Sequence, residues 1–386
     1  MQSQLATQLL PDSFLEKDWE RNFRFLESFS TLDHKSYFSL EDAESIFRFA
    51  GPVSEVRCLM AFRGKIVKLD SLLDGPRAFR VEKIMRHFKG GATLRPTNVH
   101  ERSERIRALA SRLTAETGSI ARVNAYLTPS RSYAFKPHAD PYNVVVYQLR
   151  GRKRWKIWSR RADRPLEGEH PEIDADSLGE PEREFDLEPG QAIYIPRGLA
   201  HAASALYNEP SIHLTIGLHA PLWLSVAHDA LAACADRDGF LREFAPVAGQ
   251  VAMDRDTAFE TLGRVLGSVQ LEDLDESLRR HEELRQSMIA AKEDSLADAE
   301  AVQSLNLDSE VGDARSRIHG MDFEDDYLSL NLGHRNLKLQ PSLRKAAEFV
   351  WKTERFEVSS IPELPGGERS KLLFARYLLN NGALGV

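Results

Sequence analysis

His138 and Asp140 stand two residues apart in the stretch KPHADPY. In an extended segment that spacing turns both side chains to one face, close enough to ligate a single ion. A third ligand has to come from elsewhere, and His201 in EPGQAIYIPRGLAHAA is the candidate. Glu188 to Gly190 reads as a turn, Gln191 to Ile195 as a strand and Pro196 to Gly198 as a second turn, so a strand returning beside the first brings His201 to the pair. Two neutral imidazoles and one carboxylate are the facial set that holds Fe(II) in non-haem oxygenases, with three coordination positions left for co-substrate and oxygen. Taken singly, a His-x-Asp is a frequent chance pairing and a lone histidine is more often a core or surface residue. The joint reading rests on both elements lying at strand and turn boundaries of one predicted barrel.

A cation near that set can be sorted from its neighbours by parity. After Gly151, the strand KRWKIW places Lys153, Trp155 and Ile157 on one face and Arg152, Arg154 and Lys156 on the other. The first face carries the large apolar residues, so Lys153 is predicted to point inward and the other three cations to be solvated, while Trp158 breaks the pattern on the outer face. A buried ammonium without an anion costs several kcal/mol. A dicarboxylate held at its other end by the iron would supply that anion. Arg131, Tyr133, Phe135 and Tyr142 flank the His-x-Asp and are candidates for a mouth that accepts a polypeptide side chain; plain packing is the alternative for the aromatic ones.

The elements that position these residues are short strands. VNAYL, YNVVVYQL, RWKIW, QAIYI and SIHLTIGL are β-branched or aromatic and separated by Gly and Pro. With no helical pattern long enough for crossovers between them, they predict an antiparallel barrel or sandwich. Before them, Ser39 reads as the N-cap of a helix running to Phe49, and Arg105 to Thr117 as a helix stopped by Gly118. Residues 222 to about 315 turn helical, with Leu271, Leu274, Leu278 and Leu284 on one stripe, either packing on themselves or pairing two copies. PSLRKAAEFVWKTERF and GGERSKLLFARYLLNNGALGV add two amphipathic helices near the end.

The 386 residues are enough for two or three domains. A formal charge of -7 gives no global attraction for nucleic acid or anionic membrane, and no apolar run approaches the length of a spanning helix. Cys58 and Cys234 are far apart and outside any Cys-x-x-Cys, which argues against a disulfide framework or thiolate metal site and fits a reducing cytoplasm. The N-terminal MQSQLATQLLPDSFLEK meets Asp12 and Glu16 before a signal-peptide core can form, so a cytoplasmic protein is expected.

On VNAYLTP (123–129), PHADPYNVVVYQLRGRKRW (137–155), EPGQAIYIPRGLAH (188–201) and SIHLTIGLHAP (211–221), the sequence resembles the JmjC-type cupin dioxygenases of the ribosomal oxygenase group. His201 follows Asp140 by 61 positions and Lys153 follows it by 13, separations like those of that family. The resemblance extends to SFLEKDWERN near the start and to the helical segment and tail, and so covers most of the chain. It implies an α+β protein with a double-stranded β-helix core: an N-terminal mixed part over 1–100, a JmjC core over 101–222, a helical dimerisation domain over 223–315 and a winged-helix-like domain over 316–386. It implies Fe(II) on His138, Asp140 and His201, with Lys153 pairing the 5-carboxylate of 2-oxoglutarate and O2 as co-substrate. Asn124, Tyr126 and Thr128 on one strand, and His213 and Thr215 on another, are expected in the cofactor pocket, an inward polar pair being the alternative for the last two. The implied activity is hydroxylation of a side-chain carbon in a protein, such as a ribosomal protein, by a homodimer; the near balance of acidic and basic residues in the last segment separately argues against direct DNA binding, and no membrane contact is expected. A precursor peptide or small molecule as substrate, or a non-catalytic binding protein, are the alternatives. Asn143, where an acidic residue is common, and Gly217, where relatives can carry a small hydroxyl, depart from the pattern and leave the substrate open.

Overall fold

The computed structural model describes residues 8–51, 58–74, 78–160, 162–169, 173–206, 209–242, 255–289, 302–324, 326–333 and 335–385. The first seven residues and the stretches 243–254 and 290–301, on which the readings of the N-terminus and of the helical segment partly fell, lie outside them.

Two antiparallel sheets face each other. The large sheet is built from β1 (Arg24–Phe25), β2 (Cys58–Phe62), β3 (Lys65–Ile66), β4 (Thr93–Pro96), β5 (Ile120–Thr128), β6 (Asn143–Arg150), β9 (Ala192–Ile195) and β11 (Ser211–His219), in the spatial order β1-β9-β6-β11-β5-β4-β2-β3. The small sheet consists of β7 (Lys153–Arg160) flanked by β8 (Arg183–Leu187) and β10 (Leu199–Ala205). Strands distant in sequence lie side by side in both, the arrangement of a jelly roll with its two sheets stacked. Alternation decides which side chains meet where. Val123, Ala125, Leu127, Val145, Tyr147, Leu149, Ile212, Leu214 and Ile216 point to the outer side of the large sheet, into a core shared with the helices. Val144, Val146, Ile193 and Ile195 point the other way and meet Trp155, Ile157 and Leu187 of the small sheet.

The helices that cover the large sheet start and stop as local chemistry requires. α1 (Leu40–Phe49) opens on a capping box in which Ser39 and Asp42 satisfy each other's backbone N–H groups. α2 (Glu104–Thr117) is capped by Ser103 and ends at Gly118, whose φ of 70° is the left-handed turn glycine adopts without strain. Beyond the sheets come α3 (Trp223–Cys234), α4 (Arg255–Gly267) and α5 (Leu271–Ile289). α5 packs on α3, where buried Ser277 donates to the Val226 carbonyl, and on α2, where Ser111 donates to the Ile289 carbonyl. The predicted stripe does not form the buried face: Leu271, Leu278 and Leu284 are 68, 44 and 50 % exposed.

In the last part, β12 (Glu310–Gly312) pairs with β16 (Arg355–Glu357), and β13 (Gly320–Phe323), β14 (Leu328–Asn331) and β15 (Asn336–Leu339) make a meander. α6 (Arg344–Lys352) and α7 (Gly367–Asn380) are the two helices expected there, whereas the strands, three to four residues each, were too short to announce themselves. The pairing of β12 ties residues before 316 to this part. It shares its core with the N-terminal part: Phe49 packs on Phe374 and Tyr377, Arg369 grips both oxygens of Glu44 at 2.6 Å, and Gly51 donates to the Lys338 carbonyl. No helix among the described residues is long and apolar enough to cross a membrane.

Candidate metal centre

His138 and His201 are joined by a reciprocal backbone bridge, His138 N–H to the His201 carbonyl at 3.0 Å and the reverse at 2.8 Å. The imidazoles therefore sit opposite one another, centroids 4.5 Å apart. Asp140 closes the group: one ligand atom from each of His138, Asp140 and His201 can be chosen within 4.8 Å of the others, a set that could hold a metal ion.

Backbone carbonyls choose the tautomers. Nδ1 of His138 lies 2.9 Å from the Lys136 carbonyl and Nδ1 of His201 lies 3.0 Å from the Leu199 carbonyl. A carbonyl only accepts, so each Nδ1 carries the proton and each Nε2 keeps its lone pair for a cation. Burial, with the neighbouring His138 imidazole, pushes His201 down to about 4, so it is the neutral ligand form at physiological pH. The Asp140 segment is held by the turn between β9 and β10, where Gly198 N–H donates to the Asp140 carbonyl at 2.9 Å. Gly198 has φ 77°, and a Cβ there would stand 2.0 Å from the Ala162 carbonyl oxygen, so only glycine fits.

Parity places Lys153 as expected. Lys153, Trp155 and Ile157 are 3, 4 and 2 % exposed, while Arg152, Arg154 and Lys156 reach solvent and pair with Glu188, Glu184 and Asp186. Trp158, the large apolar residue that breaks the pattern on the outer face, is buried there against Leu178 and Ala200 and donates to the Gly179 carbonyl, because residues 173–179 cross that face. No carboxylate among the described residues pairs with Lys153; its ammonium lies 3.4 Å from Nδ1 of His213 and 5.7 Å from the ring centre of Tyr126. Burial pushes it down to about 7. Burial, and then Lys153 itself, holds His213 well below its ordinary value, so Nδ1 accepts from the lysine.

The other expected pocket residues divide. Tyr126 stacks on His213 at 4.8 Å and 13° and meets Phe135, which in turn meets His138, so these rings join the lysine end to the metal end. Asn124 and Thr128 share the Tyr126 face, but their polar atoms take structural bonds, Asn124 Oδ1 accepting from Asn98 N–H and Thr128 Oγ1 from Thr93 Oγ1. Thr215 lies two residues from His213 on the same face of β11. Tyr142 packs on His219 at 4.6 Å and over Gly217, where a Cβ would come within 3.2 Å of its ring, which accounts for the glycine. Asn143 accepts from Tyr194 Oη and Arg197 N–H, fixing the turn before His201. Arg131 lies exposed at φ 57°, and Tyr133 lines a groove of about 600 Å³ with Phe135, Pro137, Ile173 and Ala202 beside the His138 segment. Arg95 was not anticipated. It stands on β4 with its guanidinium 5.5 Å from the Tyr126 ring, and a four-residue strand containing a proline gave no alternation to reveal it.

A JmjC-domain family model matches residues 94–226. Human ribosomal oxygenase 1 is 28% identical over 265 residues, which cover 66% of this chain and 38% of that protein. Ribosomal oxygenase 1 of Danio rerio is 34% identical over 131 residues, 33% of this chain and 24% of its own. The chain thus spans well under half the length of these relatives. The crystal structure of Escherichia coli ribosomal oxygenase YcfD aligns over 98% of both chains at 17% identity with a TM-score of 0.46. Residues 94–226, which carry the His138–Asp140–His201 set and Lys153, thus match the JmjC-domain family model, and the chain is similar in sequence to the ribosomal oxygenases.

Proposed function

We propose that the protein is an Fe(II)- and 2-oxoglutarate-dependent oxygenase that hydroxylates an unactivated side-chain carbon of a protein, with a ribosomal protein as the substrate class. The observation that carries this reading is the pairing of the His138–Asp140–His201 cluster with a buried lysine that has no anionic partner among the described residues. The donor set fits iron: two Nε2 lone pairs fixed by backbone carbonyls and one carboxylate are the facial set that suits Fe(II). Iron bound there, with 2-oxoglutarate and O2, supplies the oxidising power, the net change being substrate C–H plus 2-oxoglutarate plus O2 to C–OH plus succinate plus CO2.

The chain's own part is to bind, orient and keep dry. Lys153 fixes the far carboxylate, and its direction is set by β7 and by the stacked Tyr126 and His213. The apolar layer of Val144, Val146, Ile193 and Ile195 excludes water, which strengthens every charge interaction in the pocket. The groove beside His138 is the proposed approach for a polypeptide, with Tyr133, Arg131 and Tyr142 as candidate contacts.

Residues 223–315 are proposed as a dimerisation part. Phe259, Leu262 and Leu266 of α4 and Leu271, Leu278 and Leu284 of α5 are 44 to 76 % exposed, more apolar surface than helices without a partner usually leave. Residues 316–386 are proposed as a winged-helix-like part without direct DNA contact, and the compartment as the cytoplasm.

Mass spectrometry of ribosomal proteins from cells with and without the gene tests the substrate class. One protein carrying a gene-dependent addition of one oxygen is the expected result. A gene-dependent oxygen found only on a small peptide or metabolite would replace that class with the alternative.

A further inference from the structure

Trp155 follows Lys153 by two residues on β7 and shares its inward face. On the neighbouring strand, His201 stands level with Ile157, Ala203 with Trp155 and Ala205 with Lys153, so Trp155 occupies the step between the metal ligand and the lysine. Its ring lies 6.0 Å from His201 on one side and 6.0 Å from His213 on the other.

The indole N–H is a donor and nothing else. In Trp155 that atom is buried and has no hydrogen-bond partner among the described residues. Two other indoles in the fold are satisfied: Trp158, three residues on, donates to the Gly179 carbonyl at 3.0 Å, and Trp351 to the Ile318 carbonyl at 3.3 Å. Buried donors are paired as a rule, and one that is not calls for an explanation. The same face of the same strand carries a second donor, Lys153, with no carboxylate partner among the described residues. Two inward donors two residues apart, one charged and one neutral, match the two oxygens of one carboxylate.

We propose that Trp155 is a ligand of the dicarboxylate co-substrate, its indole N–H donating to the carboxylate that Lys153 pairs with. The inference rests on 2-oxoglutarate being the co-substrate. It explains why a tryptophan stands where apolar packing alone would be met by phenylalanine, and it adds orientation to charge: an ammonium attracts an anion from many directions, whereas a fixed indole N–H selects one.

The test uses protein loaded with Zn(II) in place of iron and labelled with 15N at its five tryptophans. The Trp155 indole signal is identified by its absence in Trp155→Phe or, should that variant not fold, as the signal left after the other four are assigned. Saturating 2-oxoglutarate is expected to move this signal, and calorimetry is expected to show roughly tenfold weaker 2-oxoglutarate binding in Trp155→Phe with zinc affinity unchanged. A signal that stays in place while calorimetry shows 2-oxoglutarate bound overturns the inference and leaves the co-substrate reading standing. Equal affinity in the variant overturns it as well. Failure of the unsubstituted protein to bind 2-oxoglutarate at all overturns both.

Discussion

Lys153 is the side chain whose placement is costly for the fold and is accounted for by the proposed function. Its folded value of about 7 lies below the ordinary 10.5, so between those pH values the unfolded chain holds a proton that the ligand-free fold does not. The ligand-free protein therefore gains stability from this group as pH rises from about 7 toward 10.5, and below 7 the burial cost is fully present. Binding a dianion runs the other way, because it needs the ammonium. Above pH 7, 2-oxoglutarate binding takes up a proton and weakens by up to about tenfold per pH unit, a proton that calorimetry in buffers of different ionisation enthalpy would count. Affinity independent of pH between 7 and 9 would place the charge elsewhere. Lys153→Ala should raise the 2-oxoglutarate requirement far more than Arg152→Ala, since Arg152 is exposed and paired with Glu188 across a surface gap of 3.5 Å. This residue was legible in the sequence because period-two alternation is rigid once one large apolar neighbour fixes the face. Trp158 was not, because what covers it arrives from 20 residues away in a segment without periodicity.

The metal set depends on turns as much as on strands. The strand carrying His201 was legible only as far as Ile195, since LAHAASA is small and apolar without β-branching, yet it forms β10 by pairing with β7. Its register is set by the turn at Gly198, which touches both the Asp140 segment and Ala162. Gly198→Ala should cost about 1–3 kcal/mol of stability from its left-handed backbone alone, and more once the clash is relieved by moving the turn. Thermal unfolding should show the loss, and zinc or iron affinity should fall with it, because the turn holds Asp140. A variant that is destabilised and retains full metal affinity would show that the Asp140 segment is positioned without the turn. Arg183–Leu187, the outer strand of the small sheet, was missed for a similar reason: REFDL offers only one fully buried position.

The N-terminal part, the jelly roll and the last 85 or so residues share one core, through Phe49, Phe374 and Tyr377 among others. Composition could not show this, because contacts between Glu44 and Arg369 span 325 residues and leave no local pattern. The helical segment was read for its periodicity, and the periodicity is real; the face it marks is outward, and the buried face of α5 is made of Asp273 and Ser277 bonded to α3 and its neighbours. An apolar face left outward on α4 and α5 is what pairing two copies requires. Replacing Phe259, Leu262 and Leu266 together with serine is expected to halve the mass seen by light scattering while leaving 2-oxoglutarate binding intact. An unchanged monomeric mass in both proteins would contradict the pairing.

The central claim is that His138, Asp140 and His201 hold an iron that turns over 2-oxoglutarate. Purified protein given Fe(II), ascorbate and 2-oxoglutarate should slowly form succinate even without substrate, and His138→Ala should form none while still binding 2-oxoglutarate weakly through Lys153. Succinate formed at the original rate by His138→Ala would contradict the account.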